Sequence, residues 1–173
     1  MENSTSPHLA QPYRLPRHIL PTRYDLQLTP HLAQATFDGT VVIAANVLAQ
    51  APEIVLNAKA LTIHDVQVNG LDAHFSLHSE TERLVITPSS AVETGTASIS
   101  ISFSGVLNDS LRGFYRSTYT DDNGTEQVIA ATQMQSTDCR QAFPCWDEPD
   151  FKAVFSIPWW STNSIWQFLM APK

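Results

Sequence analysis

Eight residues near the middle of the chain, Ala97-Ser98-Ile99-Ser100-Ile101-Ser102-Phe103-Ser104, alternate strictly between apolar side chains and serine. A period of two is the period of a strand, whose side chains point to opposite faces in turn. The pattern therefore predicts a strand with Ala97, Ile99, Ile101 and Phe103 in a core and four serines on a wet or lightly covered face. Such a strand needs an apolar layer against one face. That requirement points away from a helical bundle and towards packed sheets.

The rest of the chain supplies further strands. Tyr24, Leu26 and Leu28 alternate with Asp25, Gln27 and Thr29 after Pro21, which reads as a half-buried strand. Phe37-Asp38-Gly39 and the run from Thr40 to Val47 read as a second. Residues 54–63 read as two short strands with a bend at Asn57 to Lys59. Val66-Gln67-Val68 runs into Asn69-Gly70, the strongest short hairpin signal, and Phe75 and Leu77 are expected to return along that hairpin. Leu84-Val85-Ile86 follows a polar turn. Asp121-Asp122-Asn123-Gly124 is a second hairpin turn, with a return strand from Gln127 to Ala131. Short strands, turn residues between them and almost no helical period give an all-β, sandwich-like domain of antiparallel strands.

Composition narrows the function classes. Hydrophobic residues make up 43% of the 173, enough for a sizeable core. The formal net charge of −7 argues against nucleic acid and anionic membrane surfaces as main partners. No apolar run reaches the length of a membrane span, and the N-terminus lacks a charged-then-apolar signal pattern, so the expected compartment is cytoplasmic. Residues 1–13, polar and rich in serine and proline, are expected to form a disordered lead-in. The three glycosylation acceptor patterns, at Asn3, Asn108 and Asn123, are read as chance without an export signal.

The densest local chemistry lies between Ala131 and Phe155. Thr137 or Asp138 can start a helix, with Gln141 three residues after Asp138 as in a capping box. Pro144 pushes Phe143 out of the helical region, so one short helix of about two turns is predicted near residues 138–143. Trp146, Asp147 and Glu148 sit between Pro144 and Pro149, which fits a constrained turn better than an acid–base pair. Phe151, Ala153 and Phe155 alternate like the start of a strand. Cys139 and Cys145 have no histidine beside them and are read as reduced thiols packed around the short helix, not as a zinc site or a disulfide framework. Gln133 and Gln135, two apart before the helix, can present their amides on one side of a strand end.

This stretch closely resembles the signature that ends the N-terminal domain of the aminopeptidase N family, the zinc aminopeptidases that include puromycin-sensitive aminopeptidase. The family pattern is Thr-Gln-(Phe/Met)-(Glu/Gln), a short arginine-bearing helix, Phe-Pro-Cys-(Trp/Phe)-Asp-Glu-Pro and Phe-Lys-Ala. Residues Thr132 to Ala153 carry every part of it. Other resemblances are Tyr24-x-Leu26-x-Leu28, Phe37-x-Gly39-x-x-x-Ile43, Leu56-Asn57-Ala58 and Gly113-Phe114-Tyr115-Arg116-Ser117. Together they cover residues 14–157. The resemblance implies a saddle-shaped β domain packed against the catalytic domain of the same enzyme. It further implies that Gln135 helps hold the free α-amino group of a peptide substrate while Gln133 lines the same pocket.

What the family uses for hydrolysis is absent from this sequence. The family's zinc is held by His-Glu-x-x-His and a further glutamate, with the motif's own glutamate as general base. The six histidines here, His8, His18, His31, His64, His74 and His78, form no such motif, and the family's Gly-x-Met-Glu-Asn is missing too. No zinc ligand and no catalytic residue is expected in this chain; zinc is implied only for the full-length enzyme. Arg116 is read as paired with a domain acid, and Tyr115 as packed. Residues 158–173, with three tryptophans, resemble nothing in the family and are read as an atypical tail, either a foreign end or an amphipathic segment covering the sheet. The alternative to an aminopeptidase domain is a stand-alone, non-catalytic β-sandwich binding or scaffold module.

Overall fold

The structure is a computed structural model that describes residues 14–157; the expected lead-in and the Trp-rich tail lie outside them. Eleven strands follow one another: β1 (Ile19–His31), β2 (Thr36–Val47), β3 (Ile54–Asn57), β4 (Leu61–Val68), β5 (Leu71–Asp72), β6 (His74–His78), β7 (Arg83–Thr87), β8 (Gly95–Val106), β9 (Gly113–Thr120), β10 (Glu126–Gln133) and β11 (Val154–Ser156). They form a six-stranded sheet in the order β11-β1-β2-β8-β4-β5, a three-stranded sheet β3-β7-β6 and the hairpin β10-β9. The chain is all-β and sandwich-like, with the three sheets packed on one apolar cluster.

Strand β8 lies inside the wide sheet between β2 and β4, and its faces divide as the alternation predicts. Ala97, Ile99, Ile101 and Phe103 are buried, Ser98 is exposed, and the other three serines are half-covered. Its two neighbours present matching apolar residues: Ile99 faces Ile43 on β2 and Val68 on β4, and Ile101 faces Val41 and Val66. Directly opposed apolar pairs of this kind are the unit of sheet stabilisation. Two of the β2–β8 pairs set a phenylalanine against a glycine, Phe37 opposite Gly105 and Gly39 opposite Phe103. A Cβ on Gly39 would sit 2.4 Å from the Phe103 ring, and one on Gly105 2.5 Å from the Phe37 ring. Each glycine thus makes room for a ring, and the two rings meet edge to face.

Three expectations need correction. The strands of the wide sheet are long, 13 residues in β1 and 12 in β2 and β8. One pairing is parallel, β11 beside β1, because residues between β10 and β11 carry the chain back across the domain. Phe75 and Leu77 do not return along the Asn69-Gly70 hairpin. That turn forms, with Asn69 and Gly70 both at positive φ, but its return strand is only Leu71–Asp72. The Ala73 amide then bonds Val66 O at 2.9 Å, the ladder ends, and the chain leaves to pair β6 with β7.

The N-terminal strand lies between β2 and the edge strand β11. Leu15 and Ile19 are buried, and β1 carries a register shift at Pro21, the place in a strand where proline is tolerated. Tyr24 and Leu26 then point into the core while Asp25 and Gln27 face solvent.

Candidate functional site

The stretch from Thr132 to Phe155 begins on β10. Its hairpin with β9 is closed by Asp121, whose carboxylate accepts from the Asn123 and Thr125 amides, each at 2.9 Å, and from the Gln127 side chain at 3.1 Å. The Thr125 amide, followed by Gln127, holds that carboxyl below its ordinary range. Thr132 is buried near the end of β10, Gln133 is exposed, and Met134 is half-buried against the core. Gln135 is exposed again, but in a turn beyond the strand, and the Gln135–Ser136 peptide is cis. Both glutamine side chains are therefore open to solvent on either side of an inward methionine.

The helix expected over residues 138–143 is a single 3₁₀ turn, Cys139–Gln141. Asp138 does not cap it through its side chain; the carboxylate instead accepts from Gln141 Nε2 at 2.6 Å. Two features stop the helix after one turn. Pro144 disfavours the helical region for the residue before it, Phe143, and Cys145 is already tied elsewhere: its amide bonds Asn57 O at 3.1 Å, and Asn57 N bonds its carbonyl at 2.8 Å. Gly113, at φ +67°, lets β9 start against this turn, since a Cβ there would lie 2.6 Å from Gln141 Cβ.

Arg140 ties the turn to the rest of the domain. Its Nε donates to Asp147 Oδ2 at 2.8 Å, its amide to the same oxygen at 3.3 Å, and its Nη2 to the Asp147 carbonyl at 3.3 Å. Its Nη1 reaches Glu82 Oε2 at 3.1 Å, and Lys59 Nζ holds the other Glu82 oxygen at 2.6 Å. Burial works to raise the Glu82 carboxyl, but Lys59 and Arg140 outweigh it and the net shift is downward. Asn57 closes the circle: Oδ1 accepts from the Asp147 amide at 3.2 Å and Nδ2 donates to Glu82 O at 3.5 Å. Asn57, Glu82 and Arg140 border a cavity of about 410 Å³, with Leu15, Thr137 and Glu148 also in its wall.

Both motif acids have partners within the domain. Asp147 serves Arg140, and Glu148 accepts from the Leu15 amide, with Arg14 Nη1 3.6 Å from its second oxygen. Trp146 is buried, and its amide donates to the Tyr24 hydroxyl at 3.1 Å. Burial, then the neighbouring Cys145, push that hydroxyl well above its ordinary pKa. Phe155 stacks on the Tyr24 ring at 4.7 Å, and Phe143 meets both rings edge-on. Arg116 pairs with Asp109 at 2.7 Å, as expected of an arginine with a domain acid.

A peptide-cleaving metal centre would need a histidine-and-carboxylate donor set, and these residues do not fit one. Among the described residues, one group of three metal-capable side chains has its donor atoms within 4.8 Å of one another: Cys139, Cys145 and Asp147. No histidine joins it, and its carboxylate is engaged by Arg140. His74 and His78 are both exposed on β6. Sequence reasoning singled out Gln133 and Gln135 but read Asn57 only as a bend and missed Glu82 and Arg140 as a joint anchor. The signals were the Leu56-Asn57-Ala58 resemblance and the arginine of the family's short helix.

Comparison with known proteins places the chain. The model of the peptidase M1 N-terminal domain matches residues 20–163. The chain belongs to that family. It is 42% identical over 153 residues to Aminopeptidase M1 of Arabidopsis thaliana, covering 83% of this chain and 17% of the relative. It is 38% identical over 150 residues to the puromycin-sensitive aminopeptidase of Caenorhabditis elegans, covering 83% and 16%. The Alanine/arginine aminopeptidase of Saccharomyces cerevisiae is 35% identical over 149 residues, covering 83% and 17%. The chain therefore spans about one sixth of the length of the curated relatives it matches. Among the described residues no helix is long and apolar enough to cross a membrane.

Proposed function

We propose that this M1-type domain forms one wall of the substrate site of a zinc-dependent aminopeptidase and holds the free amino terminus of the peptide. The Gln135 side-chain carbonyl accepts from the substrate ammonium, and Gln133 lines the same pocket. The partner is the catalytic domain of the same enzyme, which supplies zinc and the cleavage chemistry; this chain contributes no metal ligand and is inactive alone. The reaction is placed in the cytoplasm.

The observation that carries this reading is the exposure of Gln133 and Gln135 on either side of the inward Met134, at the end of β10. Two uncharged polar side chains left open beside a loop so thoroughly tied down at Arg140, Asn57 and Tyr24 are positioned to meet a ligand. Family membership supports the rest. The test is made in a complete enzyme bearing this domain. There Gln135→Ala is expected to lower kcat/KM for peptides with a free amino terminus about ten- to a hundredfold, which corresponds to the ~1.5–3 kcal/mol of a hydrogen bond to a charged group. Gln135→Glu should keep or strengthen binding, because a carboxylate pairs better with an ammonium. A folded Gln135→Ala enzyme with kcat/KM within about twofold of the parent reduces the glutamine to a strand-end cap.

A further inference from the structure

Cys139 and Cys145 stand apart from everything assigned above. Neither is in a disulfide; Cys139 is half-buried in the 3₁₀ turn and Cys145 is buried beside Asn57. Their sulfur atoms lie within 4.8 Å of each other. No carboxylate or histidine separates their roles: Asp147, the third group of the cluster, has its Oδ2 held by the Arg140 amide and Nε. A soft metal ion would have to take that carboxylate from Arg140, whereas joining the two sulfurs disturbs no existing hydrogen bond of Asp147.

We propose that Cys139 and Cys145 form an oxidisable dithiol, a modification site at which a hydroperoxide closes residues 139–145 into a disulfide-bonded loop. The order of events follows from exposure. The thiolate of Cys139, the less buried of the two residues, attacks the peroxide; the O–O bond breaks, a sulfenic acid forms on Cys139, and the released hydroxide takes up a proton to leave as water. The Cys145 sulfur then attacks the Cys139 sulfur and expels the second hydroxide, which takes the Cys145 proton and leaves as water. The balance is two thiols and one hydrogen peroxide giving one disulfide and two waters. Burial, and the hydrogen bond to Cys139, keep the Cys145 thiol protonated until that second step, so it acts as the resolving partner and not as the first nucleophile. Cys145 is anchored by two backbone bonds to Asn57, so closure draws the 3₁₀ turn towards a fixed point. The turn begins a few residues after Gln135. The inference rests on the thiol geometry and holds whether or not Gln135 binds a peptide.

The full chain is treated with hydrogen peroxide near equimolar, quenched, denatured and alkylated, and its intact mass is read. The expected product is monomeric, lacks two hydrogens, takes up no alkyl group and regains two alkylation sites after dithiothreitol. Cys139→Ala, a small side chain at a half-buried position, should leave Cys145 free and alkylatable under the same treatment. In Cys145→Ser, a dimedone adduct should appear on Cys139, the sulfenic acid that has lost its resolving partner. Two alkylatable thiols after treatment, or disulfides formed only between chains, overturn the proposal. So does an equal yield from protein unfolded before oxidation, because the folded geometry would then contribute nothing.

Discussion

The wide sheet and the motif loop of this domain are held together by opposite means. In β1, β2, β8 and β4 the backbone supplies the hydrogen bonds and every second side chain supplies apolar area, as in the Ile43–Ile99–Val68 row. Between Thr132 and Phe155 little regular structure remains, and backbone groups find side chains and distant backbone instead: Trp146 N on Tyr24, Asp147 N on Asn57, Cys145 on Asn57. A sheet residue that is lost leaves a cavity while its ladder persists. A loop residue that is lost leaves several buried polar groups without partners. The sheet is sensitive to volume, and the loop to hydrogen-bond satisfaction.

The sharpest test of the sheet is Phe103→Ala, which empties the space over Gly39 and beside Phe37. A loss of about 3–5 kcal/mol in denaturant unfolding is expected, with the strand signal retained in what remains folded. On the loop, Arg140→Ala should cost about 3 kcal/mol by leaving the part-buried Asp147 without its cation and Glu82 with Lys59 alone. Arg140→Lys should not restore it, since a lysine cannot reach both carboxylates with a planar fork. If Lys rescues fully, the loop is held by charge alone and the contrast with the sheet weakens. The smallest effect is Glu82→Gln, which should cost about 1 kcal/mol at neutral pH and change the acid limb. The Glu82 carboxyl is held below its ordinary value of 4.5 in the folded chain. Its contribution is therefore complete above that value and is lost as the pH falls through the lower, folded one. The parent should lose stability with falling pH more steeply than Glu82→Gln below about 4.5; parallel curves would show that Lys59 and Arg140 do not stabilise the carboxylate.

That same contrast decides what could be read from the sequence. Strand β8 was legible because one period-two pattern states both its conformation and its buried face, and the Asn69-Gly70 turn because few sequences tolerate two positive φ values in succession. The partner of Phe75 and Leu77 was not legible: their alternation fits a strand in either sheet, and only the end of the ladder at Ala73 sends them to β7. The short helix is where the local rules put it but shorter than they allow, because the pull of Asn57 on Cys145 lies outside any local rule. Gln133 and Gln135 came from a recognisable run of residues. The contacts that join Arg140, Glu82 and Asn57 are invisible in one dimension, since they link residues 58 and 90 positions apart.

Those separations also bear on how the chain reaches its native state. The loop's anchors span 122 residues from Tyr24 to Trp146 and 133 from Leu15 to Glu148, whereas β1, β2, β8 and β4 complete their pairing by Val106. Contacts of such long range carry the largest closure entropy and form slowly. During synthesis the wide sheet, β11 apart, can assemble while the motif is still unmade. In that interval the Asn57 amide and carbonyl, and the Tyr24 hydroxyl, face a seam waiting for a segment synthesised roughly a hundred residues later, at a pace of seconds. The residues that later seat the loop are thus the same ones that leave the growing chain most exposed to wrong pairings.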